Sequence, residues 1–168
     1  MRALIVYESL FGNTEAVARA VAAGLSDEYE VTVTEVAEMP SAAGVDLLVV
    51  GAPTHAFGLS RPATRQDAVK QGATRPARTG LREYLDTADG ITSRTVFAAF
   101  DTRVGKPFSG SAARKAGRRL RKLGARPVCP PESFLVTGTS GPLVDGEQKR
   151  AESWAAHLAT ALKPSDLR

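Results

Sequence analysis

"LIVYESLFGNTEAVARAV", residues 4–21, runs from an apolar strand through a short loop straight into an alanine-rich helix. A strand that stops this abruptly and re-enters a helix is the opening of a βαβ unit. The rest of the chain repeats the theme. Valine-rich segments at 3–7, 30–36, 45–51, 94–100 and 132–137 alternate with stretches of helical spacing, which predicts a parallel sheet with crossover helices. The first, third and fourth segments are continuous apolar runs, as strands covered on both faces are. The second, "EVTVTEV", alternates apolar and polar residues, as an edge strand does. The expected architecture is α/β: a three-layer, doubly wound sandwich around a five-stranded parallel sheet of order 2-1-3-4-5, in one domain over residues 1–168.

The helices are marked by spacing and by their ends. Over 14–25, Val17, Val21 and Leu25 share a face; over 111–123, Ala112, Ala116, Leu120 and Leu123 do, with Ser109 or Ser111 as N-cap and Gly124 as C-cap. Over 145–162, Trp154, Leu158 and Leu162 form a stripe, and Pro164 ends it. Between Phe57 and Arg94 the pattern weakens. Gly58, Pro62, Gly72, Pro76, Gly80 and Gly90 leave two short helical pieces, near 64–70 and 80–85.

Composition sets limits. At 168 residues and 43% hydrophobic content the chain can bury one sizeable core. A single cysteine, Cys129, permits no internal disulfide; beside Val128 and Pro130 it reads as a small buried residue. The opening residues lack the long apolar region of a signal peptide, and no run approaches a membrane span, so the expected location is cytoplasmic. Two histidines and one cysteine give no metal-site spacing, and His157, mid-helix near Trp154, reads as a packed or surface residue. The net charge of +4 fits an acidic partner, an anionic cofactor or plain solubility. Its densest run, "RKAGRRLRKLGAR" at 114–126, reads as a solvated helix face or a dock for an acidic redox partner. Nucleic acid is not expected, because no aromatics interleave with the charges.

The loop Ser9, Leu10, Phe11, Gly12, Asn13 and Thr14 sits where a strand's carboxyl end meets a helix N-terminus, a place that favours an anion. Backbone amides around a glycine, with hydroxyls at both ends, suit a phosphate. The loop contains neither lysine nor arginine. G-x-x-x-x-G-K-[ST] and G-x-G-x-x-G are both absent, which removes the P-loop and the usual dinucleotide fingerprint. Taken alone, S-x-x-G-N-T reads equally well as a phosphate nest or as a cap and a turn.

The segment "IVYESLFGNTEAVARAV" resembles the first loop of the flavodoxin family, which holds the phosphate of FMN, although Leu10 and Phe11 stand where smaller, often hydroxylated residues are usual. "GAPTHAFG" after the third strand resembles the family's second loop. The resemblance implies that Pro53, Thr54, His55, Ala56 and Phe57 flank the flavin ring, with Thr54 and His55 on the positions of a Thr and an aromatic residue. "FDTRVGKPFSGSAAR" after the fourth strand resembles the third, so Asp101, Thr102 and Arg103 are expected along the ring's edge. This loop departs from the family: it has Arg103 and Lys106, and no tyrosine or acidic rim.

The resemblance implies FMN as cofactor, a redox role as an electron carrier or as a reductase of a small oxidant, and a protein or small-molecule partner, with no catalytic side chain required. A cation about 6 Å from the ring, at an effective dielectric of ~20, is worth roughly 2.8 kcal/mol, or about 120 mV for one electron, so a basic rim raises the potential. The rival reading is a flavin-free module that uses the same nest for another phosphate ligand, or only as an interaction surface. A phosphoacceptor receiver domain is disfavoured, because Glu8 stands alone after the first strand and Gly51, not an aspartate, ends the third.

Overall fold

The computed structural model describes residues 1–55, 58–74 and 79–162. Ala56 and Phe57 of the second loop, together with Pro76 and Pro164, lie outside the described residues.

The strands β1 (Arg2–Tyr7), β2 (Glu30–Glu35), β3 (Leu47–Pro53), β4 (Val96–Val104), β5 (Arg126–Pro127) and β6 (Glu132–Val136) form one parallel sheet in the order β2-β1-β3-β4-β5, with β6 also on β4. The predicted strand order and the edge position of β2 are both present. The fifth position, however, holds two short strands in place of one. β5 pairs with the start of β4 (Val96, Phe97) and β6 with its end (Phe100 to Val104). Pro127, Pro130 and Pro131 carry no N–H to donate, so the ladder breaks between the two pieces.

Helices α1 (Asn13–Leu25) and α5 (Glu147–Ala161) cover one face, and α3 (Leu81–Thr87) and α4 (Ala112–Lys122) cover the other; α2 (Pro62–Lys70) stands near the carboxyl edge. Alternation along each strand sends Ile5, Val49 and Phe100 to the first layer, and Val6, Val50 and Ala99 to the second. Val17, Val21 and Leu25 are fully buried, as their spacing requires. Trp154 stacks edge-on against Phe100 and Phe134, with centroids 6.3 and 5.8 Å away.

Ser111 caps α4 by accepting from the Arg114 amide at 3.2 Å. Gly124, at φ +95°, ends it: its amide reaches the Arg121 carbonyl and that of Ala125 the Leu120 carbonyl. Leu123, expected on the core face, is exposed instead, because the helix stops at Lys122 and leaves it at the cap. Cys129 is half-buried, less sheltered than expected. His157 is a surface residue.

Gly51 is fixed by packing. A Cβ there would lie 2.0 Å from the Phe100 ring on the neighbouring strand. No helix among the described residues is long and apolar enough to cross a membrane.

Candidate functional site

At the carboxyl end of β1 the chain turns at Gly12, the N-cap of α1, in the left-handed conformation that glycine adopts without strain (φ +92°). Ser9 Oγ accepts from the amides of Gly12 (3.1 Å) and Glu15 (3.3 Å). The amides of Leu10, Phe11, Asn13 and Thr14 donate to no protein acceptor among the described residues. Thr14 is not the cap. It lies within the first helical turn, buried, with its hydroxyl 2.8 Å from that of Thr102 on β4. Asn13 is also engaged away from the loop, its Nδ2 donating to the Ser140 carbonyl at 3.2 Å.

At the end of β3, the Thr54 amide donates to the Thr102 carbonyl (2.9 Å), and Thr54 Oγ1 accepts from the Ala112 amide of α4 (3.1 Å). His55 and Gly58 exchange both backbone hydrogen bonds at 2.8 Å, closing a tight hairpin. Burial, assisted by the Arg65 charge, holds the His55 imidazole below the usual histidine range, so it is neutral at pH 7.

Asp101, Thr102 and Arg103 do not lie on a loop. Pairing with β6 carries β4 through Val104, and strand alternation then sends consecutive side chains to opposite faces. Thr102 meets α1, while Asp101 Oδ2 accepts from Ser111 Oγ and, at 3.0 Å, from the Ala113 amide of α4. Asp101 Oδ1 is buried with no hydrogen-bond partner among the described residues. Arg103 Nη1 donates to the Gly110 carbonyl at 3.0 Å.

These three strand ends enclose a cavity of about 300 Å³, at the lower end of the ~300–1,000 Å³ range of ligand pockets. Ser9, Leu10, Phe11, Asn13, Thr14, Pro53, Thr54, His55, Thr102 and Arg103 line it; Gly12 shapes the turn, and Asp101 is spent on α4. Lys106 is exposed and does not line it, so the basic rim reduces to Arg103.

The opposite wall is α2. Thr64, Asp67, Ala68 and Gln71 face the cavity at i, i+3, i+4 and i+7, a helical stripe missed in the sequence because it carries no apolar periodicity. Val136 and Thr139 close the β6 side. Beneath the His55 hairpin is a buried charged cluster. Glu8 Oε2 accepts from Ser60 Oγ (2.6 Å) and Oε1 from the Leu81 amide (2.7 Å); Arg65, fully buried, donates to Ser60 Oγ (2.9 Å) and pairs with Glu83. Burial pushes the Glu8 carboxyl above the usual range. The cluster ties α2, α3 and the second loop to the end of β1.

A flavodoxin family model matches residues 5–154. The chain belongs to the flavodoxin family. Among solved structures, flavodoxin 1 from Bacillus cereus is 21% identical, with a TM-score of 0.69 over 97% of this chain and 100% of that one. An archaeal flavodoxin is 18% identical, with a TM-score of 0.65 over 95% and 97%. A short-chain flavodoxin associated with a non-canonical PDU bacterial microcompartment is 21% identical, with a TM-score of 0.62 over 97% and 100%. No curated protein matches the chain. FMN is the cofactor of the flavodoxin family, and the residues present fit it: open helix-start amides and the Ser9 and Thr14 hydroxyls suit a phosphate, and the cavity beside His55 offers a mostly uncharged wall.

Proposed function

We propose that this flavodoxin family member binds FMN non-covalently in the cavity at the ends of β1, β3 and β4 and serves in oxidoreduction, exchanging electrons with a protein partner or a small-molecule oxidant. The observation that carries the reading is the start of α1: four amides without protein acceptors among the described residues, on residues that line a cavity. They offer a phosphate several hydrogen bonds, about 1.5–3 kcal/mol each when charge-assisted. FMN, when bound, supplies the redox chemistry; this chain's residues hold and orient it.

Residues 9–14 take the phosphate. Pro53, Thr54 and His55 wall the ring region on the β3 side, with Ala56 and Phe57 next in the chain, and Thr102 and Arg103 on the β4 side. A neutral His55 adds packing without charge. Arg103 sets one positive charge at the cavity without a carboxylate partner among the described residues, against Asp67 on α2. This raises the reduction potential above that of an acid-rimmed site.

The experiment is the colour of the purified protein. A yellow protein that releases one FMN per chain on denaturation upholds the reading. A colourless one that takes up inorganic phosphate but no FMN at micromolar concentration overturns it and leaves a phosphate-binding module of the same fold.

A further inference from the structure

The cations of α4 do not form one uniform solvated face. Arg114, Arg118 and Arg121 flank a groove at Pro127 and Pro131. Lys115, Arg118, Arg119 and Lys122, spaced i, i+3, i+4 and i+7 along the helix, form a second stripe, in which Arg118 borders the groove as well. There they meet Arg61 and Arg82 around a separate cavity of about 340 Å³.

No acidic side chain lines this cavity among the described residues. The nearest carboxylates are already committed, Asp86 to Arg119 at 2.6 Å and Glu83 to Arg65. That leaves Arg61, Arg82, Lys115, Arg118 and Lys122 with no carboxylate partner among the described residues. These five form a dense positive patch on a chain whose net charge is +4.

The cluster is partly pre-organised. Arg82 donates through Nε to the Ser60 carbonyl (3.1 Å) and through Nη2 to that of Leu59 (3.0 Å), which fixes the guanidinium while Nη1 reaches no acceptor among the described residues. The Lys115 stem lies over the hairpin, its Cγ 3.3 Å from where a Cβ on Gly58 would be. Burial, with the nearby Arg119 and Arg61 charges, pushes the Arg82 guanidinium below the usual arginine range, against the opposing pull of Glu83 and Asp86.

We infer that this cavity is a second anion site, taking the pyrophosphate or paired phosphates of a small molecule. Nη1 of the fixed Arg82 guanidinium, with the Arg61, Arg118, Lys115 and Lys122 cations around it, offers phosphate oxygens charge-assisted hydrogen bonds, and a concave site of this volume holds one small ligand. It meets the first cavity at His55 and Thr64, which line both. If FMN occupies the first, a phosphorylated co-substrate anchored in the second reaches towards it; that consequence rests on the FMN reading, whereas phosphate binding does not.

The test is calorimetric titration of the purified protein with inorganic pyrophosphate and with ADP, before and after saturation with FMN. Both are expected to bind, with affinity unchanged by FMN. The exposed double variant Lys115→Gln/Arg118→Gln is expected to lose on the order of a hundredfold, about tenfold per charge-assisted contact. Arg121→Gln, outside the cavity, should stay within about twofold. A perturbed His55 imidazole resonance on adding pyrophosphate gives a readout in the folded wild type. Absence of binding, displacement by FMN, equal loss in Arg121→Gln, or tighter binding of an acidic peptide than of pyrophosphate would each overturn the inference. Failure to bind FMN alone leaves it standing and removes only the co-substrate reading.

Discussion

Helices α1 and α4 both start at the carboxyl edge of the sheet, each just beyond a buried strand, yet their first turns are used in opposite ways. At α4 the amides are taken: Ala112 by Thr54 Oγ1, Ala113 by Asp101 Oδ2, Arg114 by Ser111 Oγ. At α1, Ser9 takes those of Gly12 and Glu15, and the amides of Leu10, Phe11, Asn13 and Thr14 meet no acceptor among the described residues. The helix dipole is similar in both. What separates a structural helix start from a ligand site is whether the protein has already provided the acceptors.

The largest expected effect tests the closed start. Asp101→Ala removes a fully buried carboxylate that receives two hydrogen bonds and should cost about 3 kcal/mol of stability, near the sum of two charge-assisted bonds. Chemical denaturation measures it. Phosphate and FMN affinity of the folded variant should hold; a parallel loss would place Asp101 at the ligand. Arg103, one position from the α1-facing Thr102, sharpens the contrast from the cofactor side. Arg103→Gln should lower the flavin potential by roughly 120 mV at most, the value of one cation at ~6 Å and a dielectric of ~20, with Asp67 offsetting part of it. An unchanged potential in a redox titration would put the guanidinium outside the reach of the ring. At the open start the effect is smaller. Thr14→Val deletes the bond to Thr102 and a cavity hydroxyl, for about 1 kcal/mol of stability and roughly a tenfold loss for FMN and free phosphate alike.

The same contrast explains what could be read from the chain. Apolar runs and helical spacing made β1, β3, α1 and α4 legible, and Ser111 and Gly124 marked the ends of α4. β4 was read too short because "DTRV" is polar, and only its pairing with β6 makes it strand. β5 and β6 were not read as a pair, since three prolines interrupt a strand position that other strands hold open. The loop at the start of α1, which we propose takes the phosphate, was legible because its residues are contiguous. The α2 wall of the cavity, with Asp67, required knowing that a short helix folds back over the edge. The cluster of Glu8, Ser60, Arg65 and Glu83 joins three distant stretches of chain, and local patterns carry no signal for that.

Between the two helix starts stands His55, whose neutral ring supplies the pH test. Its pKa lies below 6.5 in the folded protein because of burial and the Arg65 charge. As pH falls through 6.5 the unfolded chain takes up the proton first, so unfolding becomes easier; above 6.5 both states are neutral and the contribution is constant. Glu8 acts in reverse, since its raised carboxyl binds a proton more readily in the folded state and its contribution declines as pH rises from 4.5. The comparison must therefore be between wild type and His55→Gln, in which Glu8 cancels. Their difference in unfolding free energy should be flat from pH 8 to pH 7 and then shift against wild type as pH falls towards 5.5. A difference that stays flat throughout would mean that the His55 ring is solvated, and the cavity wall beside the β3 hairpin would then be open to water.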